Sequence, residues 1–230
     1  MKKLWLAVIT ICAGTAFAGT ASIVSSFRSP CSTYAWGIDY HGGYVYHGDG
    51  HNYIYRTTTT GSRLDSLSVG NASAGIDRTD LEFWTCNRGG WIFRLSTEGS
   101  TIRSFEKPVD SYGITYGEGF LWYSSKSYVY KLTVNGSGVS SFRLPTASHR
   151  GICWDAPYLW TASNGSQMIY RITQTGSVVD SISIAPNNPW GVTWDGSYLW
   201  YTANYYVYQV SISHTPVAPA SLGKVKAIYR

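Results

Sequence analysis

The sequence predicts an all-β fold, a five-bladed β-propeller of four-stranded blades, on three observations. An anchor glycine followed by Ile or Val recurs at Gly37, Gly75, Gly113, Gly151 and Gly191, at intervals of 38, 38, 38 and 40 residues. Aromatic residues are abundant, with 19 Tyr, 10 Trp and 7 Phe among 230 residues, and together with 24 Gly and only 2 Met they suit short strands and tight turns better than helices. Each repeat also contains short segments whose apolar residues alternate with the period of two that a strand requires. At 44% hydrophobic and 13% charged residues the chain has the composition of a folded domain, which excludes a disordered or fibrous one.

The first element is a leader. Met1-Lys2-Lys3, the apolar run Leu4 to Ala13 and Ala16-Phe17-Ala18 read as the basic region, apolar core and A-x-A site of a secretory signal peptide over residues 1–18. Cleavage is expected near Ala18, giving a secreted or periplasmic protein. The apolar run is shorter than the roughly 20 residues needed to cross a bilayer and no later stretch approaches that length, so no transmembrane segment is expected. Loss of Lys2 and Lys3 lowers the formal charge from +5 to +3, too mild a balance to argue for nucleic acid.

The propeller is expected over residues 19–212. Aligned on the anchor glycine, the ninth position holds Tyr46, Trp84, Trp122, Trp160 and Trp200, preceded by Val45, Phe83, Leu121, Leu159 and Leu199. An aromatic-rich inner strand leads through a turn such as Asp195-Gly196, a pair that tight hairpins prefer, into the second strand. Asp155 and Asp195 are read as turn residues. The third strand is Tyr53-Ile54-Tyr55-Arg56 and its counterparts, and the fourth is Leu64-Asp65-Ser66-Leu67, Ile102-Arg103-Ser104-Phe105, Val139-Ser140-Ser141-Phe142 or Val179-Asp180-Ser181-Ile182. In the last unit that place reads Val217-Ala218-Pro219-Ala220, where Pro219 removes a ladder donor. Val24-Ser25-Ser26-Phe27 has the missing apolar-x-Ser-apolar form, so an N-terminal strand over residues 22–27 is expected to complete the last blade and close the ring. A β-sandwich would not require a 38-residue period.

Residues 213–230 form a tail with Pro216, Pro219, Lys224, Lys226 and Arg230, read either as an added strand along the ring or as a handle for cell-surface association. Cys31, Cys86 and Cys153 remain after leader removal. An odd number allows at most one disulfide within the chain, and the spacings match no metal-ligand pattern, so they read as small buried residues.

The Gly-Ile/Val-x-Trp-Asp-x-x-Tyr-Leu-Trp units at 151–160 and 191–200 resemble the secreted bacterial propeller repeats of the broad NHL, YVTN and glutamine-cyclotransferase-like grouping. The resemblance covers roughly residues 20–212 at repeat level. It implies a propeller outside the cytoplasm and leaves activity open, because this architecture hosts binders, scaffolds and enzymes alike. The glutamine-Gly-Leu and Glu-Ser-Thr-Gly segments of the glutaminyl cyclotransferases have no counterpart here.

Ligands of propellers usually meet the loops entering the inner strands and those joining second and third strands, near the central channel. The first set contributes Trp36, Ala74, Tyr112, Arg150 and Trp190, and the second Asp49, His51, Asn87, Arg88, Lys126, Asn164 and Asn204. From these, Trp36, Tyr112, Arg150, Trp190, His51, Arg88, Lys126, Asn164 and Asn204 are the candidate ligand-binding residues, suited to stacking on a sugar or an extended peptide while polar groups fix its orientation. The expected function is recognition of a carbohydrate or protein partner without catalysis. The alternative is a propeller enzyme of the glutaminyl cyclase or glycoside-hydrolase kind, in which Asp39 and Asp77, at equivalent inner-strand positions, serve as acid and base. Thr115, Cys153 and Thr193 occupy that position in the other units. His41, His47 and His51 crowd the first unit, but on strands and loops their spacing lacks the meaning it has on a helix, and neither a metal site nor a cofactor is expected. No nucleophile elbow, Walker loop or dinucleotide fingerprint occurs.

Overall fold

The computed structural model describes residues 17–70, 73–107, 109–184, 186 and 188–213. The expected leader up to residue 16 and the tail from residue 214 lie outside the described residues. Among the described residues all twenty regular elements are strands. Strand β1 (Phe17–Arg28) comes first. The next groups are β2 (Ile38–His41), β3 (Tyr44–Gly48), β4 (Tyr53–Thr57) and β5 (Arg63–Ser68); β6 (Gly75–Arg78), β7 (Phe83–Cys86), β8 (Trp91–Leu95) and β9 (Thr101–Glu106); then β10 (Gly113–Gly117), β11 (Phe120–Ser125), β12 (Tyr128–Thr133) and β13 (Gly138–Arg143). Each of these three groups is a four-stranded antiparallel sheet in sequence order.

The remaining strands are β14 (His149–Asp155), β15 (Tyr158–Ser163), β16 (Met168–Ile172), β17 (Val178–Ser183), β18 (Pro189–Trp194), β19 (Leu199–Ala203) and β20 (Tyr206–Ser213). They join through β1 in an eight-stranded sheet of order β14-β15-β16-β17-β1-β20-β19-β18. Residues 20–28 of β1 run antiparallel to β20, from Thr20 opposite Ser213 to Arg28 opposite Tyr206. Its first four residues run parallel to β17, Phe17 opposite Asp180 through Thr20 opposite Ser183. One strand therefore serves two neighbours, and the shift of register between Ile23 and Ser25 marks where it bends between them.

Apolar cores lie between successive groups. Tyr46 and Ile54 pack with Ile76, Phe83 and Leu95; Trp84 and Ile92 with Ile114 and Leu121; Trp122 and Val129 with Ile152 and Leu159; Trp160 and Ile169 with Val192 and Leu199; and Trp200 and Val207 with Ile38 and Val45. The last contact returns to the first group. The ninth-position tryptophans Trp84, Trp122, Trp160 and Trp200 are fully buried. Hiding roughly 200 Å² of ring at about 25 cal/mol per Å² stabilises by about 5 kcal/mol each before the entropy of ordering is set against it. Asp155 and Asp195 hold the indole N–H groups of Trp160 and Trp200 at 2.9 and 2.6 Å, and Asp195 also accepts from the backbone of Ser197 and Tyr198, so these turn residues lock the core.

The five anchor glycines meet at the axis. A methyl group on Gly37 would lie 3.0 Å from the Cα of Gly75, on Gly75 2.7 Å from that of Gly113, on Gly113 2.9 Å from that of Gly151, and on Gly151 2.8 Å from that of Gly191. On Gly191 it would meet the backbone nitrogen of Ile38 at 2.9 Å. Only glycine permits this approach. The cavity among them measures about 10 Å³, no more than one water needs. The axis is thus closed at this level, and the sequence expectation of a central channel gives way to a depression on the Asp39 and Asp77 side of the glycines. Among the described residues Cys31, Cys86 and Cys153 are buried and free, and no helix is long and apolar enough to cross a membrane.

Candidate functional site

Trp36 and Asp39 are three positions apart, a span of about 10 Å along an extended strand, and the glycine cluster falls between them. The two residue sets singled out in the sequence therefore occupy opposite ends of the axis.

At the end where the inner strands begin, three loops and the starts of β14 and β18 bring five candidate side chains into a closed belt. The rings of Trp36 and Trp190 lie 4.5 Å apart between centroids. The Arg150 guanidinium carbon sits 4.8 Å from the Trp190 ring and 4.2 Å from the Tyr112 ring. Arg88 completes the circuit, 6.0 Å from Tyr112 and 5.2 Å from Trp36. Both cations lie over ring faces, the geometry in which the aromatic quadrupole attracts them. Gly50, with φ +77, brings its backbone against Trp36, where a methyl group would lie 2.6 Å from the ring. Tyr112 is buried and its hydroxyl donates to Asp110 at 3.1 Å.

The other candidates flank this belt. His51 packs edge-on to Trp36 at 6.3 Å. Lys126 stands at the rim, 4.0 Å from the Asp110 carboxylate. Asn164 donates to Asn188, whose amide donates in turn to Asn204 at 3.1 Å, and Gln167 is tied to this network through the Asn188 backbone. The Asn204 carbonyl accepts from Ala35, beside Trp36. Asp49 and Asn87 instead hold their own loops. Asp49 accepts from the backbone of His51, Asn52 and Tyr53 and from the Ser73 hydroxyl, and Asn87 accepts from the Trp91 backbone. Asn188 and Gln167 escaped the sequence reading. Their signal was positive φ, +78 and +61, which asparagine tolerates and which repeat alignment does not reveal.

At the other end, Asp39, Asp77, Thr115, Cys153 and Thr193 line one depression of about 320 Å³, walled by Tyr40, Tyr116, Trp154 and Trp194. Equivalent side chains here bond from one unit to the next. Asp39 accepts from the backbone of Arg78 at 2.9 Å and from the Thr193 hydroxyl at 3.0 Å. Asp77 accepts from Thr115 at 2.7 Å and from the Tyr116 backbone. Thr115 accepts from the Trp154 backbone at 3.0 Å, and Thr193 from that of Tyr40 at 3.2 Å. Burial, with the neighbouring Asp77 carboxylate second, pushes Asp39 well above the usual carboxylate range. Burial likewise raises Asp77 to about 6, opposed by its hydrogen bonds and by His41. Burial of Cys153 raises its thiol as well, which disfavours the thiolate. Among the described residues no group of three His, Cys, Asp or Glu side chains is arranged to hold a metal ion.

No family model and no curated protein sequence matches the chain. Its architecture does match solved structures. The glutaminyl cyclase of Myxococcus xanthus superposes with a TM-score of 0.75 over 88% of this chain and 100% of that one, at 14% identity. The WD40 β-propeller domain of Doa1 gives a TM-score of 0.55 over 76% of this chain and 62% of that one, at 13% identity. At such identities the likeness carries the fold, a β-propeller, and no activity.

Proposed function

We propose that the chain is a secreted or periplasmic, non-catalytic five-bladed propeller that binds a carbohydrate or protein partner across its loop face. The count of five is supported by the cyclic meeting of the anchor glycines and by the interleaved cores, with β1 as the outer strand of the last blade. The function rests on one observation: Trp36, Tyr112 and Arg88 from loops, with Arg150 and Trp190 from the starts of β14 and β18, form a continuous aromatic and cationic belt around the axis. Stacking surfaces beside fixed polar groups are what orients a sugar or peptide. The test is a glycan and peptide binding screen on the purified chain and on a Trp36→Ala, Trp190→Ala variant, with melting followed to confirm folding. Saturable binding that the variant weakens by roughly tenfold or more is expected, and undiminished affinity in a folded variant rejects the loop face.

The enzyme reading has its own support in the paired buried carboxylates, Asp39 and Asp77, at the floor of a depression, and in the activity of the structurally similar cyclase. Their full engagement by donors of neighbouring units favours a structural role. Turnover of glutaminyl peptides or glycosides that disappears on replacing both with Asn would reverse this assignment.

A further inference from the structure

Resting on the loop-face reading, we infer that the partner is an acidic saccharide, a uronate-type sugar whose carboxylate seats on Arg88 and Arg150. All 13 Asp and Glu residues lie in the described part of the chain, yet neither guanidinium has one within ion-pair distance. Among the described residues, carboxylates form ion pairs with His41, Arg56, Arg94, Lys126 and Arg171. Arg150 goes further: its Nε and Nη1 atoms are buried without a hydrogen-bond partner among the described residues. A buried donor left unmatched is costly, and two like charges gathered around Tyr112 repel. A bound anion offsets that repulsion.

The geometry also selects the anion. The fork of a guanidinium matches the two oxygens of a planar carboxylate, and Arg88, over the Trp36 ring, is exposed. Beside the belt, the amides of Asn164, Asn188 and Asn204 each carry two N–H donors, of which the network uses only part. Sugar hydroxyls are the natural acceptors for the remainder. A carboxylate next to several hydroxyls describes a uronate better than an acidic peptide, whose remaining polar groups sit on an extended backbone.

The experiment is calorimetric titration of the purified chain with trigalacturonate, with its fully methyl-esterified form and with a hexaglutamate peptide. Trigalacturonate is expected to saturate, to weaken as salt rises, and to exceed the ester by roughly tenfold or more. Arg88→Gln, an exposed substitution that leaves the fold intact, should cost about as much, and Arg150→Lys, which keeps the charge but loses the fork, should weaken binding too. Equal binding of acid and ester, both lost in the Trp36→Ala, Trp190→Ala variant, would overturn the inference and leave the loop-face reading standing. So would binding of the glutamate peptide in place of the uronate. Absence of binding by all three probes also overturns it, and the loop-face reading is then decided by the broader screen alone.

Discussion

At the scale of single residues, the most consequential side chains away from the belt are Asp39 and Asp77. Each bonds to the next unit, and burial makes each reluctant to ionise. Asp77 holds its proton up to about pH 6 in the folded chain against an ordinary 3.8. The folded state therefore binds that proton more tightly than the unfolded one. Its contribution to stability is fully present below the ordinary value and is lost as pH rises through about 6. Asp77→Asn, which retains an acceptor for Thr115 and cannot ionise, should gain on the order of 2 kcal/mol over the parent at pH 8 and little at pH 4. Denaturant unfolding at both pH values checks this, and a difference that does not change with pH would refute it. Comparison with the variant matters because His47 and His149, buried and lowered to about 3 and 4, act oppositely: their contribution is present above the ordinary histidine value and lost as pH falls. The sequence marked Asp39 and Asp77 as equivalent inner-strand residues. It placed Thr193 and Thr115 at the same position in other units but could not show that they donate to these carboxylates, because that bond exists only once the units sit side by side.

The same holds for elements. The turns between third and fourth strands repeat a motif in which a Ser or Thr is followed three residues later by glycine and then serine, as in Thr133-Val134-Asn135-Gly136-Ser137. Gly61, Gly99, Gly136 and Gly176 all have φ near +90, and each packs on the fourth-strand apolar residue of the neighbouring group, Phe27, Leu67, Phe105 and Phe142 respectively. A period search within one repeat finds the anchor glycine but neither this contact nor the reason for the anchor, since both are relations between copies. Gly113 is the sharper case. A methyl group there meets backbone atoms of Arg150 and Ile152 at 2.6 and 2.7 Å, and backbone on a packed axis cannot yield as a side-chain end can. Gly113→Ala should cost about 3 kcal/mol or more. Gly138→Ala, with open space around it and φ outside the left-handed region, should stay within about 1 kcal/mol of the parent, on the stabilising side if it moves. Equal losses at the two sites would mean that close approach at the axis is not what the anchor glycine serves. The loop-face candidates were legible as positions in the repeat. Their division into a belt, an amide network and a rim lysine was not, because loop conformation sets it.

For the whole molecule, the decisive strand is the one displaced to the N-terminus. Residues 20–28 pair with β20, and residues 17–20 pair with β17, so β1 binds the first-made part of the chain to the last. The displaced copy was visible in Val24-Ser25-Ser26-Phe27, but its second partner was not: a parallel pairing at a strand end leaves no alternation of its own. Cleavage near Ala18 would remove Phe17 and Ala18, and with them two of the four pairs to β17, while the whole ladder with β20 survives. A chain beginning at Gly19 should therefore melt within about 3 °C of the full chain, a shift worth about 1 kcal/mol at this size. A chain beginning at Ser29 loses both ladders and the packing of Phe27 on Gly61. It leaves two unpaired strand edges, which associate with other copies. It should melt at least about 10 °C lower and elute as larger species on gel filtration. A monomer that melts like the parent would show that the first and last groups hold together through the Trp200 and Ile38 core without a shared strand, and the closure assigned to β1 would have to be given up.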